Sequence, residues 1–380
     1  MNSPCFSQQE TPYLLLDVSR LDANIARLKN HLARLGVTLR PHVKTNKSIE
    51  VSERFFDTPT RPITVSTLHE ADFFFANGFT DILYAVAIAP NKFEHVKKLL
   101  LAGADLKLIL DNRETAKLLR DFAVANSLPV NILLEIDSDG HRSGLPPCSL
   151  EITEIAALLN GSPITILGVM THAGNSYGSA STAEIVQYAH QERDAVVSSA
   201  NMLRELGVAV SMVSVGSTPT ALFCDDLTGV TEVRAGVFAF FDLFMHGIGV
   251  CALNELALSV VTTVIGHQRE KGWVITDAGW MALSRDRGTA GQKIDQGYGV
   301  VCRMDGTPYG NLTVSGANQE HGIISAKDGK DTAHLDALPV GAQVRILPNH
   351  ACSTAAQYEG YFLCGHSGSA IYWSRINGWK

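Results

Sequence analysis

Between residues 12 and 235, short apolar runs alternate with amphipathic segments. That alternation restricts the chain to architectures in which parallel strands are joined by crossover helices. PYLLLD (12–17) opens the series. The next segment sets Leu21, Ile25, Leu28, Leu32 and Leu35 at steps of four and three, the spacing of one helix face. Ser19 and Asp22 are placed to form its capping box and Gly36 to end it. Further apolar runs follow at VTLRPHV (37–43), ITVST (63–67), DILYAVAI (81–88), LKLILD (106–111), VNILLEID (130–137), ITILGVMTH (164–172), VSMVSVG (210–216) and TEVRAG (231–236). Helical stretches fall near 91–103, 113–126, 149–160 and 182–206. Eight or nine strands alternating with helices favour a (β/α)8 TIM-type barrel over an open sheet. No G-x-G-x-x-G dinucleotide fingerprint follows any of these strands.

Beyond about residue 250 the texture changes to short alternating strands separated by Gly, Asp and Asn, as in ALSVVTTVIG, GWVITDAG, GNLTVSG and GAQVRILP. The expected fold class is therefore α/β: a barrel over 1–250 and a β domain over 251–380, to which N-terminal residues can add a strand. No repeat or charged linker separates the two, so they are expected to pack closely and share a site.

With 380 residues, 46% of them hydrophobic, the chain can bury a large core. A formal charge of −7 and thinly spread Lys and Arg argue against a nucleic-acid partner. Neither a signal-peptide pattern nor a run of about 18 uncharged apolar residues is present, which points to a cytoplasmic protein with no membrane partner. The seven cysteines (Cys5, Cys148, Cys224, Cys251, Cys302, Cys352 and Cys364) are scattered and lack a C-x-x-C pair, as suits reduced thiols.

The strand VTLRPHVK ends in Lys44, and the C-terminal ends of barrel strands are where barrel active sites sit. A lysine desolvated there can lose its proton and form an imine with an aldehyde cofactor. A surface lysine in a polar loop is the other reading, and the residues alone leave both open. Lys47 better suits a solvated role. Gly216, Ser217 and Thr218 follow a strand and offer backbone N–H groups and hydroxyls to a phosphate, or form an ordinary Gly-Ser-Thr-Pro turn.

TPYLLLD followed by LRPHVKTNKS resembles the start of D-threonine aldolases and D-serine dehydratases, members of the alanine-racemase-like, fold-type III pyridoxal-phosphate group. The resemblance continues through EIDSDGHRSG (135–144), GVMTHAGNSY (168–177), VSVGSTPT (213–220), TEVRAGVFAFFD (231–242), DAGWMALSRD (277–286), NQEHG (318–322) and PNHACST (348–354). It implies that Lys44, and not Lys47, bears pyridoxal 5'-phosphate. It also implies that Arg142 contacts the cofactor's phenolic oxygen, that His172 and Tyr177 flank the ring and substrate, and that Gly216, Ser217 and Thr218 take the phosphate. Asn46 departs from the family pattern, which usually has histidine there. The role of Arg234 stays open, as do those of Glu320 and His321.

His350 and Cys352 lie two apart, and on a strand both would face the same side. An imidazole and a thiolate can hold one divalent metal: zinc by ligand softness, or manganese, magnesium or cobalt where water and substrate oxygens complete the shell. In isolation the motif far more often describes a buried His and Cys. The resemblance makes both residues metal ligands, which plain alanine racemases lack. It implies a lyase acting on D-3-hydroxy amino acids, nearest to the branch that converts D-threo-3-hydroxyaspartate to a 2-oxo acid and ammonia. Dehydration of D-serine and retro-aldol cleavage of D-threonine are the alternatives within the group. From other classes, an amino-acid racemase would need no metal, and a non-catalytic pyridoxal-phosphate carrier would be barrel only. The resemblance further implies a head-to-tail homodimer whose sites are shared between subunits.

Overall fold

The structure, a computed structural model, describes residues 9–329, 332–364 and 371–379; Cys5 lies outside the described residues. The chain forms two compact units, one running from Ala26 to Gly236 and the other from Val237 to Asn377 together with the N-terminal segment up to Ile25.

The N-terminal β1 (Tyr13–Asp17) feeds directly into a helix, Val18–Arg34. The capping residue is Asp17 rather than Ser19: the strand ends there, and its Oδ1 accepts the Arg20 N–H at 3.1 Å. Gly36, with φ +71°, follows the helix in the left-handed conformation that ends it, as expected.

Eight parallel strands make the barrel: β2 (Thr38–Pro41), β3 (Ile63–Val65), β4 (Asp81–Ala87), β5 (Asp105–Leu110), β6 (Val130–Ile136), β7 (Ile164–Thr171), β8 (Met212–Val215) and β9 (Glu232–Ala235). They are hydrogen-bonded in the order β2-β9-β8-β7-β6-β5-β4-β3, and a bridge between His42 and Thr64 joins the remaining edges. The (β/α)8 expectation is met. Leu83, Ile109, Leu133 and Met170, from four neighbouring strands, pack as one apolar cluster. Near the N-terminal ends of the strands the barrel also carries charge. Arg40 Nε meets Glu232 Oε2 at 2.8 Å, Arg40 NH1 meets Asp81 Oδ1 at 2.7 Å, and Lys107 Nζ meets Asp81 Oδ1 at 2.8 Å. Arg40, Lys107 and Glu232 are buried, so each charge depends on the others.

The second unit is built on a nine-stranded sheet in the order β11-β14-β13-β12-β15-β10-β1-β16-β17. Its strands are β1 with β10 (Leu258–Gln268), β11 (Trp273–Thr276), β12 (Val300–Cys302), β13 (Pro308–Ala317), β14 (Gly322–Ala326), β15 (Gln343–Leu347), β16 (Gly360–Cys364) and β17 (Tyr372–Ser374). β1 pairs antiparallel with β10 and parallel with β16. Tyr13, Leu15 and Val261 form an apolar cluster on one face of this sheet. Among the described residues no helix is long and apolar enough to cross a membrane.

Candidate active site

Lys44 follows β2, with its side chain exposed and its backbone N–H directed at His42 Nδ1, 3.4 Å away. Two imidazoles feel its charge. Burial first, and Lys44 second, hold the His42 pKa well below the ordinary histidine range. The same two causes, in the same order, push His172 down to about 3. His172 stands just past β7, and its Nδ1 donates to Gly216 O at 2.7 Å. The neutral ring therefore keeps Nε2 as a lone-pair acceptor. Tyr177 lies beside it, with ring centroids 5.9 Å apart at 45°.

Lys47 differs from its expected solvated role. Its Nζ lies 3.1 Å from Oε1 of Glu70, a fully buried carboxylate that also accepts the Ser66 N–H and hydroxyl, each at 2.8 Å. A buried carboxylate needs a cation, and Lys47 supplies it. Asn46 is buried as well, its Oδ1 accepting from Ser48 N at 2.9 Å and Ser52 Oγ at 3.0 Å.

The turn after β8 packs tightly: a Cβ on Gly216 would sit 1.9 Å from Arg234 O. The expectation that Gly216, Ser217 and Thr218 all turn backbone donors to a phosphate is altered here. Gly216 N–H donates to Glu192 Oε1 at 2.7 Å, and Ser217 N–H to Thr220 Oγ1 at 3.3 Å. The Ser217 hydroxyl lies 2.9 Å from those of Ser176 and Thr220. Among the described residues the buried Thr218 hydroxyl has no hydrogen-bond partner.

Arg142 is exposed, and its charge reaches both Glu135 and His172. Arg234, whose role the sequence left open, is buried, with Nε donating to Ser214 Oγ at 2.8 Å and NH2 to Thr171 O. Burial lowers its pKa, while Glu232, Glu192 and Glu135 favour its charge. These contacts tie Arg234 to the barrel wall.

In the β unit, His350 and Cys352 are not on a strand as expected. β15 ends at Leu347, and His350 (φ −136°, ψ 112°) is the residue before a short helix, Ala351–Ala355, that contains Cys352. The turn still brings the two side chains into hydrogen-bond contact. His350 Nδ1 donates to Asp286 Oδ2 at 2.6 Å, and the Ala351 N–H donates to Asp242 Oδ2 at 2.9 Å. Burial disfavours a charge on His350, but Cys352, Asp286 and Asp242 outweigh it and hold its pKa up to about 11. With Nδ1 engaged, Nε2 is the ring nitrogen at which a cation would bind, displacing the proton held there, the arrangement by which carboxylates orient metal-binding imidazoles. Among the described residues no three His, Cys, Asp or Glu side chains converge on one metal position.

Residues 16–243 match the family model described as the alanine racemase N-terminal domain, and 257–364 match a serine dehydratase domain. The chain belongs to the alanine-racemase-like family. Within that family it is 47% identical over 372 residues to D-threo-3-hydroxyaspartate dehydratase of Delftia sp. (strain HT23), with 97% of this chain and 98% of the relative covered. It is 30% identical to D-serine dehydratase of Dictyostelium discoideum, covering 97% of each chain. The solved structure of the Delftia enzyme superposes with a TM-score of 0.97 at 46% identity, over 99% of this chain and 100% of that one. A cysteine-to-alanine variant of that enzyme, in the metal-free form, gives 0.96 at 46% identity, over 99% and 100% of the two chains.

For this family member, the sequence reading missed three carboxylates. Asp286 and Asp242 support the His350 segment. Glu192 supports the turn after β8. Asp286 lies inside a quoted motif, DAGWMALSRD, but nothing there reveals a partner 64 residues away. Glu192 did leave a signal: it lies on the helix Thr182–Glu205 in the stripe Ile185, Ala189, Glu192, Val196, Ser199 and Leu203, where a charge is out of place. Glu320 and His321 lie exposed in the turn between β13 and β14, where Asn318 N–H bonds to His321 O at 2.8 Å.

Proposed function

We propose that this chain is a pyridoxal-phosphate- and divalent-metal-dependent dehydratase that converts D-threo-3-hydroxyaspartate to oxaloacetate and ammonia. The observation that carries the reading is the His350–Cys352 pair braced by Asp286, in a chain 47% identical to a dehydratase of that substrate. A racemase has no use for such a pair. A metal-free D-threo-3-hydroxyaspartate dehydratase carries a cysteine-to-alanine substitution, which agrees with a thiolate ligand.

The residues present fit both groups. Lys44 is exposed where a barrel ligand binds, whereas Lys47 is held by Glu70. The buried Thr218 hydroxyl, unpartnered among the described residues and with Ser217 beside it, suits the phosphate; the His172 and Tyr177 rings would flank the cofactor, and Arg142 would supply a cation for its phenolic oxygen. His350 and Cys352 form a borderline-soft donor set suited to zinc and tolerant of manganese, magnesium or cobalt. When bound, the cofactor supplies an electron sink for charge at the substrate's α-carbon, and the metal supplies Lewis acidity at the 3-hydroxyl.

Lys44 Nζ takes the α-proton as general base. His172, neutral at physiological pH, orients by packing and by accepting a hydrogen bond at Nε2, and a pKa of about 3 makes it a poor competing base. His350 and Cys352 set the position of the hydroxyl that departs, with Asp286 fixing the imidazole. Loss of hydroxide with the α-proton removes water, and water then displaces ammonia from the dehydrated product to leave the 2-oxo acid.

D-serine is the second reading, supported by the 30% identical D-serine dehydratase. Product analysis separates the cases. Purified enzyme loaded with cofactor and zinc is given D-threo-3-hydroxyaspartate, D-serine and D-threonine, and oxo acid, ammonia and glycine are followed together. Oxo acid equimolar with ammonia, fastest from D-threo-3-hydroxyaspartate, is the expected result; glycine with an aldehyde would overturn it in favour of an aldolase. The same reading carries a homodimer, checked by sedimentation. A cytoplasmic location is supported by the scattered free cysteines among the described residues.

A further inference from the structure

Glu192 lies near the middle of the long helix Thr182–Glu205 and is 2% exposed. No surface or substrate role is open to a side chain so placed, yet its carboxylate is fully used. Oε1 accepts the Gly216 N–H at 2.7 Å and the Ala173 N–H at 3.2 Å, and Oε2 accepts the Thr220 hydroxyl at 2.7 Å. Ala173 belongs to the loop after β7 and Gly216 to the loop after β8. One oxygen thus ties together two loops that come from different strands.

What those loops carry gives the tie a function. His172 precedes Ala173 and donates from Nδ1 to Gly216 O at 2.7 Å, and Ser176 and Ser217 join hydroxyls at 2.9 Å. Thr220, held by Glu192, in turn holds Ser217 by backbone and side chain, and Thr218 lies between them with its unpartnered hydroxyl. An anion settling on Ser217 and Thr218 meets donors whose positions derive from Glu192. A carboxylate behind an anion site would repel the ligand if its charge were unopposed. The buried Arg234 guanidinium is close enough to Glu192 for each to favour the other's charged form.

We infer that Glu192 is a positioning residue for the cofactor's phosphate: it holds the Gly216–Thr220 turn and the His172 loop in one fixed register, without touching the ligand. This rests on the reading of Ser217 and Thr218 as phosphate contacts. It makes recognition of the phosphate, and not imine formation at Lys44, the property that Glu192 controls.

The test compares pyridoxal 5'-phosphate with pyridoxal, which lacks the phosphate, in titrations of purified apoenzyme followed by the absorbance of the lysine-bound aldehyde. Glu192→Leu should weaken binding of the phosphorylated form roughly tenfold to a hundredfold, the scale of losing bonds to a charged acceptor. It should change pyridoxal binding less than about twofold. Glu192→Gln, which keeps an oxygen for the two N–H groups, should recover most of the loss. Thr220→Val preserves shape and removes only the linking hydroxyl; it should show the same phosphate-selective loss, and it decides the matter if Glu192→Leu does not fold. An unchanged ratio of the two affinities in Thr220→Val and the Glu192 variants, or equal weakening of both ligands, would overturn the inference while leaving the phosphate reading intact. A wild-type enzyme that binds both ligands equally would remove that reading and the inference with it.

Discussion

His172 is a side chain whose protonation this fold opposes at a cost in stability. Its Nδ1 hydrogen is committed to Gly216 O, and burial, reinforced by Lys44, sets its folded pKa at about 3 against 6.5 in an unfolded chain. Between those values the unfolded chain binds more protons than the folded one, so stability rises with pH. The contribution is fully present above pH 6.5 and is lost as pH falls toward 3. Carrying the two values through the linkage relation, moving the apoprotein from pH 7 to pH 5 costs about 2 kcal/mol at this residue alone. The perturbation is His172→Asn, whose amide can still donate to Gly216 O but does not titrate. Urea unfolding of wild type and variant apoprotein at both pH values isolates the effect, because every other titrating group is common to the two. The wild type should lose about 2 kcal/mol more than the variant between pH 7 and pH 5. An equal loss in both proteins would show that the ring titrates as freely in the folded state as in the unfolded one, and would refute the account of His172 as a neutral orienting group.

Asp286→Ala should weaken zinc binding by about tenfold to a hundredfold, since His350 loses the acceptor at 2.6 Å that fixes its ring; competition with a chelator measures this, and unchanged affinity would deny Asp286 its orienting role. Gly216→Ala should destabilise the protein by about 1–3 kcal/mol or more in urea unfolding, because the added Cβ would lie 1.9 Å from Arg234 O. Lys47→Met should cost about 2–3 kcal/mol by stranding the Glu70 carboxylate, yet keep the absorbance of the lysine-bound cofactor. Loss of that band in a folded Lys47→Met protein would move the cofactor away from Lys44.

The barrel was legible because its signal is periodic and local: each strand is a short apolar run and each crossover an amphipathic stripe. What failed were features that depend on how distant segments come into register. Arg40, Asp81, Lys107 and Glu232 stand on four different strands, and only the closed sheet order makes them a charge network. The metal pair was found by resemblance, and its local geometry was misjudged for a physical reason. Two residues apart, side chains meet on a strand face, but a residue entering a helix can also meet one in the first turn, and Pro348 and Asn349 had already ended β15.

The same contrast separates the two lysines of HVKTNK. Lys44 and Lys47 are chemically identical, and nothing in their spacing ranks them. The difference comes from Glu70, in the first turn of the helix after β3, whose buried carboxylate accepts two bonds from Ser66 and draws Lys47 in as its counter-charge. The Lys47 amine is thereby engaged by Glu70 at 3.1 Å. Lys44 has His42 and His172 as neighbours, both pushed toward neutrality, and no carboxylate ion pair among the described residues. Glu192 and Asp286 extend the logic. In each place a carboxylate consumes hydrogen-bonding capacity of a segment distant in sequence and so leaves that segment one orientation.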